Sequence, residues 1–250
     1  MNEIITIACK NICIQYHTKR EKIENENKLK SADSNMVFND RVDAAKKLVK
    51  NMAWLKKEEP IILAIPRGGV VIGDIISSEL GVKLDIIVSR KIGAPHNPEL
   101  AIGAVTPDES YFPNVDITRM LNIPQKYIEL EISEQIKEIE RRLMKFRGTK
   151  EYQLEGRTVV LVDDGIATGA TMFVAIQWVK KQKPKQIIVA IPVGPKDTID
   201  KLNETVDKVI VLQSPLDFNA VGEFYEEFDQ VDDCRVQEIM SNHGYEIKSM

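Results

Sequence analysis

Residues 158–171, TVVLVDDGIATGAT, constrain what this chain can fold into more than any other stretch. Four β-favouring apolar residues, Val159, Val160, Leu161 and Val162, predict a buried strand. Two adjacent acids, Asp163 and Asp164, follow, and then the small-residue loop GIATGAT. The next run, MFVAIQWVKKQK, sets Met172, Phe173, Ala175, Ile176 and Val179 at the spacing of one helix face. The order is strand, acidic pair, Gly/Thr loop, helix.

That order has a chemical use. At the carboxyl end of a parallel strand, a loop lies in the crevice where open α/β sheets bind ligands. Gly165 and Gly169 let the backbone turn tightly and come close to a ligand. Thr168, Thr171 and the free N–H groups of the helix start can hold an anion, helped by the helix dipole. Two carboxylates would repel a phosphate and suit hydroxyl donors or a metal instead. An anion site at one end and hydroxyl or metal contacts at the other describe a sugar phosphate. The plain alternative is an ordinary βα turn in which Gly and Thr serve only as turn and cap. It leaves Asp163, Asp164 and both threonines unexplained.

VVLVDDGIATGAT resembles the phosphoribosyl-pyrophosphate (PRPP) binding motif of type I phosphoribosyltransferases: apolar strand, two acids, small residues, T-G-x-T. The resemblance implies an α/β fold, with a doubly wound, mostly parallel sheet flanked by helices, a small C-terminal hood and a long extra helix. It also implies transfer of 5-phosphoribosyl from PRPP to a nitrogen nucleophile, with Mg²⁺ present and pyrophosphate released. Asp163 and Asp164 would meet the ribose hydroxyls and, through ligand or water, Mg²⁺. Gly165, Ala167, Thr168, Gly169, Ala170 and Thr171 would complete the ribose and 5′-phosphate half.

A second strand-end loop precedes it. Residues 61–65 read as a short apolar strand, followed by Pro66, Arg67, Gly68 and Gly69 and a helix with Val71, Ile72, Ile75, Ile76 and Leu80 on its packing face. PRGG alone is a weak signal. One βα unit ahead of the acidic motif, it resembles the family's pyrophosphate loop, where backbone N–H groups meet the diphosphate and Arg67 adds a charge-assisted contact. After a strand at residues 84–89 comes RKIGAPHNPELAIGAV, expected as a basic, mobile loop before a strand at 101–106. Arg90, Lys91 and His96 are similar to the flexible loop of orotate phosphoribosyltransferases, which implies a catalytic part for Lys91. The second lysine of that loop has no counterpart, since Ala94 stands there.

Elsewhere, residues 1–35 are read as an extension and linker, with a folded domain over 36–240 and a tail over 241–250. Cys9, Cys13 and His17 fall at i, i+4 and i+8, which on a helix would align three metal-capable side chains; no fourth ligand is evident nearby. Asp40 is placed to cap a helix over 41–55, and Pro124 to open an amphipathic helix to about residue 146, roughly 35 Å long. That helix would shield the basic loop or pack on a second subunit. Pro192, Val193, Gly194 and Pro195 form a third strand-end turn. Residues 213–235 resemble the hood over the acceptor base, where Phe218, Phe224, Tyr225 and Phe228 would stack on a base or pack the domain edge.

Composition removes several classes. A net charge of −4 over 250 residues argues against a broad nucleic-acid surface, and no apolar run approaches the ~18 residues of a membrane span. Three scattered cysteines read as reduced thiols in a cytoplasm. DGIATGAT lacks the lysine of a P-loop, and Gly68, Gly69 and Gly73 are spaced wrongly for a dinucleotide fold. The partners implied are PRPP, a small nitrogenous acceptor and a second copy in a homodimer. A regulatory protein that binds PRPP without transfer is the alternative.

Overall fold

The computed structural model describes residues 37–247. Cys9, Cys13, His17 and the proposed extension lie outside the described residues. Within them, eight strands and seven α-helices follow the order α1 (Arg41–Lys50), β1 (Ile61–Ala64), α2 (Gly68–Leu80), β2 (Lys83–Ile86), β3 (Arg90–Ala94), β4 (Asn97–Val105) and β5 (Tyr111–Pro113). Then come α3 (Val115–Met120), α4 (Gln125–Arg147), β6 (Thr158–Val162), α5 (Ala170–Lys181), β7 (Gln186–Val193), α6 (Lys196–Thr205), β8 (Lys208–Gln213) and α7 (Asp233–Asn242).

Five strands form one sheet in the order β2-β1-β6-β7-β8, parallel at every pairing. β1 and β6 are buried at every residue because helices cover both faces. Alternate residues Leu63, Val159, Leu161, Ile187 and Val189 join Met172, Ile176 and Val179 of α5 and Leu202 of α6 in one core. On the other face α2 lies so close that a Cβ on Gly73 would meet the side chains of Leu84, Ala64 and Val162. This is the doubly wound, α/β arrangement expected. Crossing from β1 to β2 and back to β6 makes the space between β1 and β6 the point where strand order reverses, and ligands bind at such points.

Three expectations from the sequence change. The first helix stops at Lys50, and a 3₁₀ segment, Ala53–Glu58, replaces its last turns. Three residues per turn put Met52 and Leu55, both fully buried, on one inward edge. Residues 90–105 form a hairpin, β3–β4, in a separate antiparallel sheet with β5: the strand expected from residue 101 is present, but the loop expected before it is paired strand apart from the turn at residues 95–96. Ile92, Ala94, Ile102 and Ala104 are buried, so the segment has a core of its own that offsets the ordering cost of a strand pair. Register shifts either side of Gly93 let it pass Pro98, whose Cα would lie 2.7 Å from a Cβ at Gly93. Finally, the described part of the expected tail, residues 241–247, joins the domain: α7 runs to Asn242 and the Tyr245 hydroxyl donates to the Leu84 carbonyl at 3.0 Å.

α4 spans 23 residues from Pro124, as its stripe of Ile128, Ile139 and Leu143 requires. It is the hairpin's support. Tyr127 Oη donates to the Gly93 carbonyl at 3.0 Å, and Arg90 Nε donates to Gln135 Oε1 at 3.0 Å.

Candidate active site

The loops after β1 and β6 meet because their strands are hydrogen-bonded neighbours, with Ala64 opposite Val162. The contact is direct. A Cβ built on Gly68 would stand 1.8 Å from Asp164 Oδ2, and one on Gly69 would stand 2.9 Å from both Asp163 Cα and the Val162 carbonyl. The two glycines of PRGG are therefore the surface on which the acidic pair rests. The Pro66–Arg67 peptide between strand and loop is cis.

Alanine at either glycine has a different expected effect. Gly68→Ala should expel the Asp164 carboxylate from its seat and remove ligand binding. Gly69→Ala must push backbone apart, and a stability loss of about 1–3 kcal/mol is expected. Urea denaturation of both checks this, and a Gly69→Ala protein as stable as the parent would contradict the packing described.

On the other side of the pair, Asp163 and residues 165–172 line a cavity of about 200 Å³. That is smaller than the ~300–1,000 Å³ of whole small-molecule sites, so it suits part of a ligand. Gly169 precedes α5 with φ +74°, a left-handed conformation that suits glycine. The first residues of α5 line the cavity, with Thr168 and Thr171 exposed at its rim and the Ala170 N–H directed at Thr168 Oγ1, 3.4 Å away. The third strand-end turn braces this loop. Ile166 N–H donates to the Val193 carbonyl at 3.0 Å, and Thr198 Oγ1 of α6 donates to the Ala167 carbonyl at 2.9 Å.

The acidic pair is electrostatically asymmetric. Burial, and next the neighbouring Asp164 carboxylate, push Asp163 well above the ordinary carboxylate range, while the charge of Arg41 acts the other way. Asp163 Oδ1 accepts from the Asp164 N–H at 2.9 Å. Asp164 Oδ2 accepts from Arg41 Nε at 2.7 Å, with the two side chains only 12% and 15% exposed. Sequence reasoning misses Arg41, the first residue of α1. It lies 123 positions from its partner, and no local pattern marks it. Tyr225, expected as an aromatic of the hood, turns inward: its buried hydroxyl donates to the Asp164 carbonyl and its ring packs 5.3 Å from Phe38. Core packing is its role, while Phe218 and Phe224 stack on one another, half-exposed, at 5.5 Å.

The cations divide into two groups. Arg67 stands at the loop beside the acids, 3.5 Å from Asp233 of α7; Lys145 of α4 binds the same carboxylate at 2.8 Å. Lys145, by its hydrogen bond, chiefly holds Asp233 below the usual carboxylate range. Arg90, Lys91 and His96 belong to the hairpin sheet rather than to the acidic loop's sheet. Arg90 is held on α4, Lys91 is exposed, and His96 takes φ +63° in the hairpin turn. Among the described residues no group of three or more His, Cys, Asp or Glu is placed to hold a metal ion. Two carboxylates do suit Mg²⁺, which binds through one or two of them together with ligand phosphates.

Fold and loops together define an open parallel α/β protein whose two strand-end loops meet at the switch point, the candidate ligand site. Residues 36–227 match the phosphoribosyl transferase domain, and the chain belongs to that family. Two Mycobacterium tuberculosis proteins provisionally named phosphoribosyl transferases are 36% identical over 201 residues, covering 80% of this chain. The chain spans 45% of the length of those relatives. The crystal structure of TT1426 from Thermus thermophilus is 38% identical, covers 83% of this chain and 99% of its own, and superposes with a TM-score of 0.72. Among the described residues no helix is long and apolar enough to cross a membrane.

Proposed function

We propose that the protein transfers 5-phosphoribosyl from PRPP to a small nitrogen nucleophile, with Mg²⁺ bound and pyrophosphate released. One observation carries the reading: Gly68–Gly69 and Asp163–Asp164 are in van der Waals contact, so the pyrophosphate and ribose halves of one ligand fit side by side. Mg²⁺ bound between ligand and carboxylates would offset the charge of the leaving diphosphate. Asp163 and Asp164 accept from the 2′ and 3′ hydroxyls and stabilise the positive charge that develops on the ribose ring. The 5′-phosphate takes the N–H groups at the start of α5 with the hydroxyls of Thr168 and Thr171. Arg67 and the Gly68–Gly69 backbone receive the pyrophosphate, and the hairpin brings Arg90, Lys91 and His96 over it. Closing that hairpin excludes water, which would otherwise take the place of the acceptor.

The acceptor sits under the hood, where Phe218 and Phe224 offer a stacking surface. A homodimer suits the exposed apolar Val115, Met120, Leu121 and Leu130 of α3 and its neighbours. One observation favours a PRPP-binding regulator instead: Ala94, where the family's loop carries a lysine, faces inward and is 2% exposed. Pyrophosphate release with Mg²⁺ and PRPP over a panel of purine, pyrimidine and other nitrogen acceptors separates the two. Release with at least one acceptor is expected; PRPP binding without release from any would favour the regulator.

A further inference from the structure

Arg41 makes three contacts that the transfer reading does not use, and borders Gly68. Its Nε donates to Asp164 Oδ2 at 2.7 Å, and one terminal nitrogen donates to the Asp229 carbonyl at 2.8 Å. Its guanidinium lies 3.9 Å over the Phe228 ring, and its Nε would be 3.1 Å from a Cβ at Gly68. Acidic loop, glycine loop and hood therefore converge on one side chain. The backbone beneath it is paired as well: Phe38 N–H donates to the Phe224 carbonyl, and the Glu226 and Glu227 N–H groups donate to Phe38 and Asn39 carbonyls, all at 2.8 Å. Asp40 caps α1, accepting from the Asp43 N–H at 2.7 Å, and so fixes where Arg41 begins the helix.

A carboxylate this close to a polyanionic ligand is a problem that the ligand's own metal only partly solves. Arg41 compensates the charge of Asp164, while burial already disfavours a second charge on Asp163. A planar guanidinium stacked on a ring and tied to a backbone carbonyl also leaves Asp164 little freedom to rotate. Gly68 beneath and Arg41 beside it hold one carboxylate oxygen of Asp164 in place.

We propose that Arg41 is a positioning residue for PRPP: it neutralises and orients Asp164, and acts on the ligand through that carboxylate. The inference rests on the transfer reading only in taking PRPP as the ligand, and holds for an enzyme or a regulator alike. The test is calorimetric titration of the full chain with PRPP and Mg²⁺, with each variant's melting curve recorded without ligand. Arg41→Met is expected to weaken PRPP binding on the order of 10- to 100-fold. Arg41→Lys keeps the charge and stem but cannot bridge Asp164 and Asp229 together, and a loss of roughly 3- to 10-fold is expected. In an Asp164→Asn background the Arg41→Met effect should shrink to within about twofold, since the residue through which it acts is gone. A folded Arg41→Met or Arg41→Lys protein that binds PRPP as tightly as the parent overturns the proposal. So does full additivity with Asp164→Asn. Should Arg41→Met fail to fold, Arg41→Lys alone decides. Failure of the parent to bind PRPP at all would instead sink the transfer reading.

Discussion

Replacing Asp163 and Asp164 together by asparagine is expected to abolish turnover while the protein still folds. Each carboxylate would stabilise charge that develops only as pyrophosphate departs. Removing one such group costs on the order of 10²–10³ in rate, so the pair should cost at least about 10³-fold. The effect on stability is a balance. Asp164→Asn takes the counter-charge from Arg41, a loss of about 1–3 kcal/mol if the guanidinium finds nothing better. Asp163→Asn works in the opposite direction. A carboxyl raised in the folded state destabilises the fold at any pH where the unfolded chain would ionise it, so its amide relieves that strain. Melting of the double variant close to the parent, with no detectable pyrophosphate release, is the expected pair of results. Retained turnover would remove these residues from the mechanism.

The second large effect is structural. Arg147, at the end of α4, grips Asp85 of β2 with Nε and a terminal nitrogen at 2.6 and 2.9 Å, both side chains at most 3% exposed. The same guanidinium donates to the Thr149 and Glu151 carbonyls at 2.8 Å and lies 3.9 Å over the Tyr152 ring. Arg147→Met leaves a buried carboxylate with its Ile86 N–H but without a counter-charge, and breaking such a pair costs about 3–5 kcal/mol. Chemical denaturation is the measurement. Asp85→Leu with Arg147→Met should recover part of the loss, because two apolar groups replace the stranded charge; the Thr149 and Glu151 carbonyls still lose their donor. A single variant within about 1 kcal/mol of the parent would show that the pair contributes little. This ion pair pins one end of the helix that supports the hairpin through Tyr127 and Gln135, so Arg90 and Lys91 should become less well placed as it loosens.

Much of the fold was legible because its signals are local. Val159–Val160–Leu161–Val162 is an apolar run because helices cover both faces of β6, and the 3.6-residue stripe of α4 follows from packing one side only. Pro124 and Gly81 mark helix ends at the bonds where their backbone geometry acts. Of the hairpin at residues 90–105, only the strand from residue 101 was legible. Gly93, Pro95 and Pro98 carry turn signals, whereas pairing around a register shift depends on partners as distant as Val105 is from Arg90, and on α4 beyond them.

The sequence by itself determined the pieces: two strand-end loops, one acidic and one glycine-rich, each with the residues to meet part of a sugar diphosphate. A buried strand, a tight turn and a free helix start depend on neighbours a few positions apart, and such dependences are written in the chain. Only the tertiary structure decided that the pieces touch, since that follows from β1 and β6 pairing across the switch point. It alone also brought Arg41 and Tyr225 to Asp164, and Phe228 to Arg41. A long-range salt bridge needs no local pattern, so nothing near Arg41 announces the carboxylate it would meet.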